Sequence, residues 1–271
     1  MRELLNHPAV QGGLAPFVVA LIVAELLQRM RLSGLAIIAG FAATVYLVSG
    51  FAFDPLTASR KIVLLTLAAS LFALPLMFFN PRWLRGLLAI AGGAAAVWVM
   101  QRILQQQAVS PMLLWGAGCA AYVGWLVFWM DGLHESSMRA ASAGVGLGMG
   151  TGLAALFGAS ALLGQYGLAL GAAAGAYLLI QMLTNAPLPC GRSITLPLSL
   201  AAGLIACLAV LTAELPWYVL PVLATIPLAA KIPVPAKQAL WIQSALLTIV
   251  TLACAAGAVY LTWRVAGAPP I

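Results

Sequence analysis

Charge is what this sequence has least of. Only 7% of its 271 residues are Asp, Glu, Lys or Arg, against about 25% in an ordinary soluble domain, and this excludes a water-soluble fold. The acidic side is thinnest, with 6 Asp+Glu against 13 Lys+Arg, and there are just 2 His. Histidine is too sparse for a metal hydrolase: His7 and His134 lie far apart in the chain. The four cysteines, Cys119, Cys190, Cys207 and Cys254, form no CxxC pair, so neither a zinc site nor a disulfide framework is indicated and small core thiols are expected. GxSxG, a nucleotide-binding glycine loop and paired intramembrane carboxylates are also missing. Without them the sequence gives no grounds for an enzyme, a cofactor or a metal.

What is there is apolar residue, 63% of the chain. At about 20 residues per crossing, 271 residues hold roughly nine to eleven spans and no soluble domain. Ten spans are bounded by charges, Pro or Gly: 14–29, 33–53, 61–79, 84–101, 110–130, 138–160, 163–183, 193–212, 215–231 and 238–263. All are expected to be helices, because an open strand leaves backbone groups unsatisfied in lipid. The expected fold is therefore an all-α polytopic membrane protein. The ninth segment is the weakest, since Pro216, Pro221 and Pro227 interrupt it; it is expected to be broken or re-entrant.

The net charge of +7 would point to nucleic acid in a soluble protein, but here basic residues punctuate apolar segments singly or in pairs. They act as topology signals instead. With ten crossings, one face receives Arg29, Arg31, Arg82, Arg85, Arg139, Arg192, Lys231 and Lys237, and the other Arg2, Arg60, Lys61, Arg102 and Arg264. The positive-inside rule then places both termini on the non-cytoplasmic side of the cell inner membrane. The first apolar run has no A-x-A-like site after it, so it is expected to be retained.

The two halves resemble each other. Gly34-Leu35-Ala36 recurs as Gly167-Leu168-Ala169, and Pro55, Leu56, Arg60 and Ile62 recur as Pro187, Leu188, Arg192 and Ile194. Ala68-Ala69 recurs as Ala201-Ala202, and Cys119-Ala120-Ala121 with Leu126 recurs as Cys254-Ala255-Ala256 with Leu261. The offsets of 133, 132, 133 and 135 residues are nearly constant, which points to a duplication: 1–131 as the first five-helix repeat and 132–271 as the second, within one integral membrane domain. Five is odd, so the second repeat is inverted relative to the first. Inverted repeats are a hallmark of secondary transporters, whose halves rock about a central site.

The stretch Ala20 to Gly40, closed by Gln28-Arg29-Met30-Arg31 and followed at once by a small-residue helix, resembles the opening of cation:proton antiporters and bile-acid-symporter-like carriers. Phe53-Asp54-Pro55-Leu56 running into Arg60-Lys61 adds to the likeness. The resemblance covers about the first 75 residues and the five-plus-five plan. It implies that architecture but no ion site, because the antiporters' membrane-embedded acidic residues have no counterpart at any helix centre.

Few positions carry chemistry. Gln181 and Asn185 are large amides one turn apart, leading to Pro187, Pro189, Cys190, Gly191 and Arg192. A Pro- and Gly-containing break beside an Arg exposes backbone amides and a fixed positive charge, suited to an anionic or polar head group. Gln181, Asn185 and Arg192 are therefore the candidate substrate contacts, weighed against an ordinary inter-helix loop. Glu25 joins them as a coupling group or, alternatively, as the i,i+4 partner of Arg29. Asp54 before Pro55 is expected to cap the third span. Asp131, His134 and Glu135 are spaced for one helical face, but Gly132 and an i,i+4 pairing of Glu135 with Arg139 favour a solvated loop. Gly144, Gly148 and Gly152, with Gly171 and Gly175, form faces for close helix crossing in the bundle or for a homodimer.

Together these features lead to the expectation of a carrier or exporter of a small organic, weakly polar or anionic solute, working by alternating access at the repeat interface. Its partners would be the lipid bilayer and that solute, with no nucleic acid. The alternative is a non-catalytic membrane subunit or scaffold that packs against other membrane subunits.

Overall fold

A computed structural model describes residues 7–30, 32–78, 81–158, 160–213, 215–235 and 237–266. Among them there is helix and no strand. In chain order the helices are α1 (Val10–Met30, opening in a π-turn and closing in a 3₁₀-turn), α2 (Leu35–Val48), α3 (Ala58–Leu76), α4 (Arg82–Leu104) and α5 (Val109–Asp131). They continue as α6 (Ser137–Phe157), α7 (Ala161–Thr184), α8 (Arg192–Thr212), α9 (Val219–Ala229, interrupted at Thr225) and α10 (Leu240–Ala266). Eight are long and apolar enough to cross a membrane; α2 and α9 are shorter apolar helices. Arg2, Glu3, Arg31 and Glu214 lie outside the described residues.

Two ends differ from the sequence expectation for local reasons. The span expected over 33–53 stops at Val48, where the amides of Ser49 and Gly50 both turn back to the Val45 carbonyl. Gly50 then leaves at φ +66°, a conformation that glycine adopts at little cost. Asp54 does not cap α3. The cap is Thr57, whose side chain accepts from the Arg60 amide at 3.4 Å, so the chain runs irregularly past Asp54-Pro55 before the helix starts.

Neighbouring contacts fix the helix directions. Asp131, at the end of α5, meets Arg192, at the start of α8, and the Arg192 guanidinium also reaches the Leu76 carbonyl at the end of α3. Both α3 and α5 therefore run antiparallel to α8. Ser49 beyond the end of α2 bonds Tyr166 near the start of α7 at 2.8 Å, so this pair is antiparallel too. Leu215 lies against Gly158 at the end of α6, whereas Arg139 near the start of α6 donates to the Ala230 and Ile232 carbonyls. The broken segment containing α9 thus runs from one end of the bundle to the other.

The centre is α6, α7 and α8. Of the most apolar 18 residues of α8, 89% are buried, against 28% for α10 on the periphery. Glycine sets the spacing: a Cβ on Gly148 would stand 2.2 Å from the Gly171 backbone nitrogen, and one on Gly152 2.4 Å from that of Leu168. Backbones this close exchange dispersion contacts along their whole crossing, which holds the two helices together without side chains between them. These side-chain-free faces are occupied within the chain.

Candidate functional site

One end of the bundle gathers the end of α3 and α5, the start of α4, α6 and α8, and the linker after α9. Arg82 and Arg85 come from the first turn of α4, Asp131 is the last residue of α5, and Arg192 is the first of α8. With Gly132, His134, Glu135, Pro81 and Phe128 they line a pocket of about 570 Å³.

Its centre is an ion pair. Arg192 Nε donates to Asp131 Oδ1 at 2.7 Å, and Nη2 reaches Oδ2 at 3.4 Å, the side-on fork that matches a guanidinium to a carboxylate. Both side chains are buried, 4% exposed for Asp131 and 3% for Arg192. Each charge sits at the unfavourable end of its helix, an anion at the C-terminus of α5 and a cation at the N-terminus of α8, so the helix dipoles oppose the arrangement. Their mutual attraction and hydrogen bonds must offset two desolvations as well.

Further positive charge crowds the pair. Arg85 Nε donates to the Phe128 carbonyl at 2.5 Å, and its guanidinium stacks 3.7 Å from the Phe128 ring. Arg85 Nη2 is buried with no hydrogen-bond partner, a spare donor on the pocket wall. The Lys231 ammonium lies 4.2 Å over the Trp129 ring. Burial, and then the charge of Arg85, pull the Lys231 pKa below its usual value. Gly132 makes room, since a Cβ there would stand 2.9 Å from Arg85 Nη2 and 3.0 Å from Lys231 Nζ.

The connection into α8 is shaped for the same site. Gly191 adopts φ +70°, ψ −171°, a region nearly exclusive to glycine, and its amide donates to the His134 carbonyl at 3.1 Å. Cys190 beside it is enclosed, and burial pushes its thiol pKa up to about 12.

The four residues singled out in the sequence are not brought together. Arg192 is in the pocket. Gln181 is fully buried and its Oε1 accepts from Ser137 at 2.6 Å, while its Nε2 has no partner. Asn185 ends α7 in the left-handed conformation at φ 49°, and its side chain accepts from the Leu240 amide at 2.9 Å, pinning the start of α10. Glu25 is exposed and accepts from Gln28 at 2.6 Å, so the i,i+4 pair with Arg29 is not formed. The loop reading of the acidic trio needs a correction as well: His134 and Glu135 follow α5, but Asp131 is buried inside the bundle. Asp131 and Arg85 are the site residues that sequence reasoning missed. The available signal was an acid closing a 23-residue apolar helix with no charge before it.

Among the described residues no cluster of three His, Cys, Asp or Glu is close enough to hold a metal ion. Among the described residues the fold is all-helical, with eight helices long and apolar enough to cross a membrane. No family model, no curated protein and no solved structure matches the chain.

Proposed function

We propose that this protein is a multi-pass inner-membrane carrier or exporter of a small organic anion, working by alternating access between residues 1–131 and 132–271. The observation that carries the proposal is the Asp131–Arg192 pair, which joins the last residue of one half to the second half inside a basic pocket. Arg82, Arg85, Arg192 and Lys231 outnumber Asp131 and Glu135 there. An anionic solute competes with Asp131 for Arg192, takes the spare donor of Arg85, and so loosens the tie between the halves. A ligand shifts a conformational equilibrium only through such a difference in affinity between states.

Two features of packing support the inverted repeat. Helices that correspond across the duplication, α3 with α8 and α2 with α7, lie against each other in opposite directions. The broken segment around α9 joins the two ends of the bundle, consistent with ten crossings and termini on one side. The antiporter-like plan fits this arrangement, with the buried carboxylate at a helix end in place of one at a helix centre.

The scaffold reading has an observation of its own, the backbone-to-backbone packing of α6 on α7 at the centre of the bundle. Thermal melting of the purified chain with a panel of small carboxylates and phosphate monoesters separates the two. The carrier reading predicts a saturable rise in melting temperature for at least one organic anion, lost in Arg85→Gln. A protein that no anion stabilises, and that purifies only with other subunits, is a scaffold.

A further inference from the structure

The end of the bundle away from Asp131 and Arg192 carries cations of its own. Lys61, in the first turn of α3, is only 7% exposed. Its ammonium donates to the Trp98 carbonyl at 3.0 Å and lies 4.5 Å from the Trp98 ring centre. Arg102, in the last turn of α4, is exposed and lies one helical turn beyond the Trp98 that Lys61 contacts. Arg60 donates to the Pro55 carbonyl at 2.8 Å.

All these partners are neutral. The ion pairs among the described residues lie at the other end of the bundle, and Asp54, the acid closest in sequence, is exposed and pairs with none of the three. The N-terminus of α3 adds its own partial positive charge. Three cations and a helix dipole at the rim of an apolar bundle outweigh Asp54 and leave a net positive charge among the described residues there.

Beside them runs an apolar groove of about 360 Å³ between α4 and α5, with Val97, Leu104, Met112 and Leu113 along it and Gln101 and Gln105 among its polar lining. Val97 and Gln101 precede Trp98 and Arg102 by one position each, so groove and cations occupy adjacent faces of α4, about 100° apart. Trp98 stands between them, an indole suited to the headgroup level.

We propose that this end binds an anionic phospholipid. Its phosphodiester sits against Lys61 and Arg102, and one acyl chain lies along the α4/α5 groove. Lysine suits phosphate as a compact charge that needs no planar partner, and the groove gives a lipid a hold that a soluble phosphate lacks.

The test uses the full chain in neutral detergent. Native mass spectrometry and thermal melting are run with phosphatidylglycerol, with phosphatidylcholine of the same acyl chains, and with inorganic phosphate. Phosphatidylglycerol is expected to stay bound and raise the melting temperature, and the other two are not. Arg102→Gln, at an exposed position, lowers phosphatidylglycerol affinity about fivefold, and Lys61→Met lowers it by a similar factor. Arg82→Gln, at the opposite end, leaves it unchanged. Equal retention of phosphatidylcholine, full affinity in Arg102→Gln, or an equal stabilisation by inorganic phosphate that Arg102→Gln abolishes would each overturn the proposal.

Discussion

Replacing Asp131 with Ala removes the carboxylate from a guanidinium that is 3% exposed. Breaking a buried pair from one side costs about 3–5 kcal/mol, because the remaining charge stays desolvated. At roughly 2–4 °C per kcal/mol for a chain of this size, the melting temperature should fall by about 6–20 °C. The double variant Asp131→Leu with Arg192→Met removes both charges and both unfavourable helix-end placements. It also loses the donor to the Leu76 carbonyl, worth about 1 kcal/mol, so it should return to within about 2 kcal/mol of the parent. Differential scanning fluorimetry on the parent, Asp131→Leu, Arg192→Met and the double variant closes the cycle. A single variant that melts with the parent, or a double variant whose loss is the sum of the two single losses, would refute the argument that these charges depend on each other. If the pocket admits anions, acetate in the buffer should restore part of the Asp131→Ala loss and raise the melting temperature of Asp131→Ala more than that of the parent.

Glycine contacts give a paired prediction: Gly148→Ala, whose Cβ meets backbone at 2.2 Å, should separate α6 from α7 and markedly lower the melting temperature, whereas Gly86→Ala, with nothing within 4 Å, should change stability by less than about 1 kcal/mol. At Gly191 the φ of +70° predicts a loss of about 1–3 kcal/mol for Gly191→Ala, seen by thermal melting, together with weaker anion binding because Arg192 is the next residue. With Cys190 as the only cysteine, its raised pKa predicts maleimide labelling at neutral pH roughly a thousandfold slower than an exposed thiol. Its rate should climb about tenfold per pH unit toward pH 12, since only the thiolate reacts. A fast, pH-independent reaction there would contradict the enclosure of the loop.

Much of the helical framework was legible in the sequence because lipid leaves so few options. Spans ended by Arg139, Arg192 or Pro81 appear within a few residues of their expected bounds, since charge, Pro and Gly mark where hydrocarbon stops. The stripe of Gly144, Gly148 and Gly152 was legible for a similar reason, as an exposed backbone face has little use other than close approach. The site was legible only in part. Arg192 stood out by its Pro- and Gly-rich approach, yet its partner lies 61 residues away, and the one local signal, an acid closing a long uncharged helix, does not say which way its side chain turns. Gln181 and Asn185 looked like a pair because they are four apart, but Asn185 is where the helix ends, and its left-handed backbone turns the side chain toward α10. Glu25 and Arg29 had the right spacing too. The 3₁₀-turn that begins at Gln28 takes the chain off the α-helical path, and Gln28 supplies the hydrogen bond instead.

The central claim is that an organic anion displaces Asp131 from Arg192 and that the two halves then move. Counterflow of radiolabelled organic anions into proteoliposomes tests it most directly, using the parent and Arg192→Lys, which keeps the charge but loses the fork. Saturable uptake by the parent that is lost in a still-folded Arg192→Lys is the predicted result. Uptake no greater than in empty liposomes for every anion that raises the melting temperature, or equal uptake by both proteins, would contradict it.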